Sequence, residues 1–388
     1  MKYKLQKTIF LILLMLTGTV YFSSCVEEIL DIAIIPKPQS IELKEGQFTI
    51  NPQTRILYNE GGMETVNYLQ KQLKTDVDIS LEVKESNDPK ETDNCILILT
   101  APELKNHLGE EGYTLQIDKS GIKISAATST GNFYGIQSLR QLLPVQKEEN
   151  AEYPPTIPCL LIEDKPRFSW RAFMLDEARH FKGMKVVKKL LDQMVLHKMN
   201  VFHWHLADDQ GWRIEIKKFP DLTEIGSKRA DTQIGGWDSD QYSGQSHEGF
   251  YTQDQIREIV QYATDRHINI VPEIEMPGHA SAAIASYPWL GASGNKIEVS
   301  VRFGKHFDIF NVADPEVEQF LRDVLLEVMD LFPSKVIHIG GDEVKYDQWK
   351  ESKQVQNFMK EKGLKTPADL QIHFNNKISN FIESQGRR

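Results

Sequence analysis

From about Lys165 onward the sequence alternates compact apolar runs with one-sided amphipathic stretches, the pattern of parallel sheets built from βα units. Four apolar runs stand out, at residues 172–176, 200–206, 269–274 and 335–339, each reading as a strand covered on both faces. Between them lie helices with clear start signals. Met184, Val187, Leu191 and Met194 share one helical face; Thr252 and Gln255 form a capping box ahead of Ile256, Ile259, Val260 and Ala263. Asp314-Pro315 opens a helix carrying Phe320, Leu321, Val324 and Val328, and Thr366-Pro367 opens another through Leu370, Phe374, Ile378 and Ile382.

The preceding segment has a different rhythm. Residues 41–50 read as extended, 63–73 as a helix and 96–100 as a short buried strand. Residues 113–117 and 122–125 flank the turn Asp118-Lys119-Ser120-Gly121, and a helix follows at 132–143. This is a small α/β domain over residues 31–158, ahead of a second domain at 165–388, a division consistent with 388 residues and 40% hydrophobic content. The formal net charge of -10, without a basic cluster interleaved with aromatics, argues against nucleic acid as a partner and for a neutral or weakly charged ligand.

At the amino terminus Lys2, Lys4 and Lys7 precede an apolar run at 9–16, then Ser23, Ser24 and Cys25. This reads as a signal peptide over residues 1–25, too short and interrupted for a spanning helix. Cys25 stands where bacterial lipoprotein signals place their lipidated cysteine. The expectation is therefore an exported protein of the periplasm or outer-membrane surface of a bacterium, lipid-anchored through Cys25, with simple secretion as the other outcome. Cys95 and Cys159 sit in apolar surroundings and read as buried small hydrophobes.

Parallel βα folds place reacting groups at the carboxyl ends of their strands. Each of the four runs is followed by a polar cluster: Arg179 and His180, then Asp208 and Asp209, then Glu275 and His279, then Asp342 and Glu343. In the last, Gly340 and Gly341 let a ligand approach the backbone beside two adjacent carboxylates. Crowding with limited solvation would raise one carboxyl, leaving an acid beside an ionised partner, the division of labour that glycosidic cleavage requires.

The runs Arg171-Ala-Phe-Met-Leu-Asp-Glu-Ala-Arg179-His180-Phe181, His203-Trp-His-Leu-Ala-Asp208-Asp209-Gln-Gly-Trp212-Arg213, Pro272-Glu-Ile-Glu-Met-Pro-Gly-His279 and His338-Ile-Gly-Gly-Asp342-Glu343 resemble, in order, motifs of glycoside hydrolase family 20 β-N-acetylhexosaminidases. Ile35-Pro-Lys-Pro-Gln-Ser40 and Gly131-Asn-Phe-Tyr-Gly-Ile-Gln-Ser-Leu139 are similar to that family's accessory domain. The resemblance implies an exo-acting enzyme that removes terminal β-linked N-acetylglucosamine or N-acetylgalactosamine from glycans. The substrate's acetamido oxygen would serve as nucleophile, through an oxazolinium intermediate and with no cofactor. It implies Glu343 as general acid and base, Asp342 as the group orienting the acetamido, Asp208 and His279 as the pair supporting Glu343, and Arg179 as a binder of sugar hydroxyls. It also implies an α/β architecture with a (β/α)8 TIM-type barrel. A closed barrel uses eight strands in about 250 residues; residues 165–388 show four, so only about the first four βα units are expected. The alternative is a truncated, non-catalytic glycan-binding surface lipoprotein.

Plainer readings stand beside these. Gly-Gly-Asp-Glu also begins the diguanylate cyclase signature, but Val344 follows here where phenylalanine is usual. His203 and His205 share a strand face without a clear third ligand, so no metal is assigned. Asp176, Asp209 and Glu275 read as structural partners of Arg179, Arg213 or His279. Trp212 reads as core. Trp237, in a glycine-bearing loop, either shapes a site beyond the cleaved sugar or simply covers the surface.

Overall fold

The computed structural model describes residues 32–59, 62–86, 88, 91, 93–144, 154–304 and 306–388. The leader and Cys25 lie outside them. No helix among the described residues is long and apolar enough to cross a membrane. Residues 35–388 form one contact unit, to which all that follows refers.

The first sheet has seven strands: β1 (Ser40–Thr49), β2 (Arg55–Tyr58), β3 (Glu82–Glu85), β4 (Cys95–Thr100), β5 (Tyr113–Asp118), β6 (Gly121–Ala126) and β7 (Thr156–Asp164), in the order β1-β7-β5-β6-β4-β2-β3. Pairing is antiparallel from β1 to β6 and parallel from β6 to β3. The central β4, Cys-Ile-Leu-Ile-Leu-Thr, has parallel partners on both sides and is buried almost throughout, as an uninterrupted apolar run should be. Helices α1 (Met63–Val77) and α2 (Ser129–Leu142) flank the sheet; α1 buries Val66, Leu69, Leu73 and Val77 at helical spacing. The sheet continues past Pro158 to Asp164. That proline sits opposite Gln47, where the register of β1 against β7 shifts and a missing N–H is tolerated.

The second sheet is parallel. β8 (Ala172–Asp176) and β10 (Asn269–Ile274) both pair with β9 (Val201–Asp208). Helices α3 (Met184–Leu196), α4 (Gln253–Thr264), α5 (Pro315–Leu331) and α6 (Pro367–Ser384) pack in succession beside it. The capping box of Thr252 and Gln255 forms, and Thr366 makes another with Asp369. Strand alternation sends Phe202, Trp204 and Leu206 into the core, where Trp204 meets Phe332 and Tyr251, and turns His203 and His205 to the opposite face.

Two expectations are corrected. β8 is not covered on both faces: Phe173 and Met174 are 42% and 48% exposed, because β8 pairs only with β9 among the described residues. Residues 335–339 do not form a regular strand. They lie parallel to β10 through a bridge between Glu273 and His338, with backbone bonds to Pro272, Ile274 and Met276. Gly340 and Gly341, at φ +62° and +101°, bend the chain away immediately afterwards. On the far side Arg388 donates to the Lys335 carbonyl and accepts from Ile337 N–H.

Candidate active site

Asp208, at the end of β9, has a fully buried carboxylate that collects three cationic partners from three directions. Arg179, on the turn after β8, reaches its Oδ2 at 2.7 Å; His205 Nε2 reaches the same oxygen at 2.9 Å; His279 Nδ1 lies 3.2 Å from Oδ1. Burial alone would favour the neutral acid, but these donors hold Asp208 well below the usual carboxylate range. Arg179 is fixed by Asp176, whose carboxylate accepts from both its backbone N–H (3.0 Å) and its guanidinium (3.1 Å). Arg179 also lines the cleft onto which the site opens.

His279 follows β10 on a backbone at φ +49°, a strained conformation for a residue with a side chain. Its Nδ1 faces Asp208 and also Asp209 Oδ2 at 3.0 Å, while Asp209 Oδ1 accepts from Ser281 N–H and Oγ. Burial opposes charge on this ring, and the hydrogen bonds to Asp208 and Asp209 outweigh it, so His279 is pushed up to about 11. Among the described residues the imidazolium Nε2, buried, has no hydrogen-bond partner, and it lies 3.8 Å from both Asp342 Oδ2 and Glu343 Oε2. A single fixed positive charge therefore addresses both acids.

Asp342 and Glu343 follow the glycine bend, Glu343 itself at φ +51°. Their side chains are 63% and 42% exposed, so the limited solvation expected of this pair is absent. Beneath the pair lies Glu275, whose carboxyl is raised. Burial first, then the charges of Asp342 and Glu273, push it up to about 9, and it hydrogen-bonds to Asp342 while Oε2 accepts from Gly341 N–H at 3.1 Å. Glu275 is thus a neutral donor beneath the pair, not an ion-pair partner as its sequence context suggested.

A stability consequence follows. With its folded pKa above the unfolded value, Glu275 holds a proton that the unfolded chain releases, so its contribution is intact below about 4.5 and lost as pH rises through about 9. Urea unfolding across that window should show a decline with pH that is flatter in Glu275→Gln. Equal slopes in the two proteins would refute a neutral Glu275.

A second polar ring, which sequence reasoning missed, lies next to Asp208. Glu273 accepts from His205 Nδ1 (2.5 Å) and lies 2.7 Å from both His203 Nε2 and His338 Nδ1. Burial resists charge on His205, but Asp208 and Glu273 outweigh it and raise the ring to about 10. Parallel alignment of the inward positions 203, 205, 273 and 338 was the available signal. Ligand-type atoms of His203, Glu273 and His338 lie within 4.8 Å of one another, a spacing that a cation would share with these contacts. Among the described residues Arg213 makes no salt bridge; its guanidinium donates to the carbonyls of Glu177, Ala178, Gln210, Ser227 and Gly249, tying together the turns after β8 and β9. Trp212 is core, its indole N–H on the Ile214 carbonyl.

The site opens into a cleft of about 580 Å³, lined by Asp176, Arg179, Gln210, Trp237, Phe303 and Glu343 among others. The structure thus brings together Arg179, Asp208, His279, Asp342 and Glu343, with His180 set aside in a stack on His247.

The model of glycosyl hydrolase family 20, catalytic domain, matches residues 168–388, and that of glycosyl hydrolase family 20, domain 2, matches residues 31–165. A beta-hexosaminidase of Porphyromonas gingivalis is 41% identical over 360 residues, 92% of this chain and 44% of that protein. A beta-N-acetylhexosaminidase structure from Bacteroides fragilis superposes with a TM-score of 0.75 at 34% identity, covering 92% of this chain and 65% of that one. A family 20 exo beta-N-acetylglucosaminidase from Vibrio harveyi, in complex with N-acetylglucosamine, gives 0.77 at 35%, covering 92% and 54%. The chain spans about half the length of the curated relatives it matches. With both family models accounting for nearly all of residues 31–388, the chain belongs to glycosyl hydrolase family 20.

Proposed function

We propose that the protein is an exo-acting β-N-acetylhexosaminidase, hydrolysing terminal non-reducing β-linked N-acetylglucosamine or N-acetylgalactosamine with retention. The observation that carries this reading is the pair Asp342 and Glu343 on one backbone turn, both 3.8 Å from the same imidazole nitrogen. Two acids side by side cannot flank a glycosidic bond as acid and nucleophile, which need roughly 5 Å between facing carboxyls. They can serve acid catalysis and acetamido alignment. Glu343 protonates the departing glycosidic oxygen as the acetamido oxygen bonds to the anomeric carbon. Asp342, steadied by Glu275, accepts the acetamido N–H and offsets charge growing on that nitrogen. Glu343, now ionised, takes a proton from the water that opens the oxazolinium ring. His279 keeps the developing carboxylate favourable, and Arg179 holds ring hydroxyls by its forked donors.

The fold reading goes further in the same way. Residues 165–388 serve as the first four βα units of a (β/α)8 barrel, and the accessory domain expected over residues 31–158 extends to Asp164, the end of β7. Export with lipid attachment at Cys25 remains the reading of the leader.

Substrate assistance makes a sharp test. The purified protein should release the aryl alcohol from an aryl β-N-acetylglucosaminide and leave the matching aryl β-glucoside, which lacks the acetamido group, essentially untouched. Comparable cleavage of the two would rule out the acetamido as nucleophile.

A further inference from the structure

His203 and His205, two residues apart on β9, lack a third metal ligand in the sequence around them. The sheet supplies what the sequence does not. β10 sets Glu273 opposite His205, and the bridge from Glu273 to His338 brings the next segment alongside. Ligand-type atoms of His203, Glu273 and His338 thereby come within 4.8 Å of one another, on backbone held by sheet-type hydrogen bonds.

The three imidazoles around Glu273 do not approach it in the same way. His205 Nδ1 makes a hydrogen bond with Oε2 at 2.5 Å, the ordinary contact of an imidazole with a carboxylate. His203 Nε2 lies 2.7 Å from the same oxygen, yet this buried atom has no hydrogen-bond partner among the described residues. His338 Nδ1 lies 2.7 Å from Oε1, yet it accepts the Gly340 N–H at 3.1 Å, so it presents a lone pair and no proton. A lone pair that close to a carboxylate oxygen is repelled by it, and a cation between the two reverses the sign. A plain cluster of ion pairs would aim an N–H at Glu273 from each ring. A buried nitrogen left without such a bond calls for another partner.

We infer that His203, Glu273 and His338 form a binding site for a divalent transition metal of the zinc type, held by two imidazole nitrogens and one carboxylate. The donor set selects the ion. Two nitrogens with one oxygen suit zinc or cobalt, whereas magnesium and calcium favour oxygen ligands throughout. Donor atoms around a tetrahedral zinc stand about 3.3 Å apart, so each 2.7 Å contact needs to open by only about 0.6 Å. Entry is from the side of His338, whose side chain is 46% exposed, while Glu273 at 4% supplies a shielded negative charge. Occupancy draws on two contacts that support the catalytic groups, His205 on Glu273 and Gly340 N–H on His338. The site itself does not rest on the hexosaminidase reading.

The test uses the full chain, freed of metal and of any histidine tag. Titration with zinc against a chromogenic chelator should reveal one tight equivalent, and cobalt(II) should give the intense visible absorption of a tetrahedral site. His203→Gln and His338→Gln should each weaken zinc binding by at least about tenfold and dim the cobalt band, while excess magnesium displaces neither metal. His180→Gln, at the separate stack on His247, should bind as the unaltered protein does. Zinc held equally well by both ring variants, or not held by the unaltered protein, would overturn the site. Should a variant fail to fold, as circular dichroism reports, the cobalt form of the unaltered protein decides: paramagnetically shifted NMR signals from two imidazoles sustain the site, and their absence removes it.

Discussion

Glu343→Gln should lower kcat/KM for an aryl β-N-acetylglucosaminide with a poorly activated leaving group by roughly 10²- to 10⁴-fold, the usual worth of a positioned general acid. Glutamine has the shape of glutamate, and the side chain is 42% exposed, so the fold should tolerate the exchange. What disappears is the transferable proton. Leaving-group dependence therefore separates the roles: an aryl alcohol that departs without protonation should lose far less in its first step. Asp342→Asn, which disturbs acetamido alignment, should slow both kinds of substrate. A Glu343→Gln protein within threefold of the original on the poor leaving group would dismiss Glu343 as the acid.

The second large effect belongs to Gly340. A Cβ there would fall 1.7 Å from Glu275 Oε2 and 2.1 Å from its Cδ, on a backbone at φ +62°. Left-handed alanine costs about 1–2 kcal/mol, and the overlap forces the Glu275 carboxyl away from Asp342 and Gly341. Gly340→Ala should therefore destabilise the protein by about 2–4 kcal/mol in urea unfolding and reduce kcat/KM by roughly a hundredfold through loss of alignment. Because the clash involves one identifiable side chain, Gly340→Ala with Glu275→Ala should be less destabilised than the two single losses combined. Simple additivity would mean the overlap is relieved elsewhere.

How legible was this in the sequence? The βα alternation was, because buried strands and capped helices announce themselves over short windows: β8, β9, β10 and the helix starts at Thr252, Asp314 and Thr366 all form. β2 and β3 were not, since Arg-Ile-Leu-Tyr and Glu-Val-Lys-Glu are short and partly charged and become strands only through parallel neighbours. Arg179, Asp208, His279, Asp342 and Glu343 could be named because each follows a compact apolar run that reads as a strand. The neutral state of Glu275 could not, because it depends on how closely Asp342 and Glu273 approach it in space. Nor could the role of Glu273, which requires three imidazoles from two other segments to converge.

That convergence has a consequence for how the chain finds its pairing. Arg179, Asp208, His205, Glu273 and His338 alternate in charge type and come from β8's turn, β9, β10 and the segment after it. Apolar flanks rich in interchangeable valine, isoleucine and phenylalanine discriminate poorly between one alignment and another displaced by two residues. The charged row does discriminate, because such a displacement would strand buried ions without partners. The groups that prepare the cleft for chemistry thus also favour the observed alignment of these strands over a displaced one.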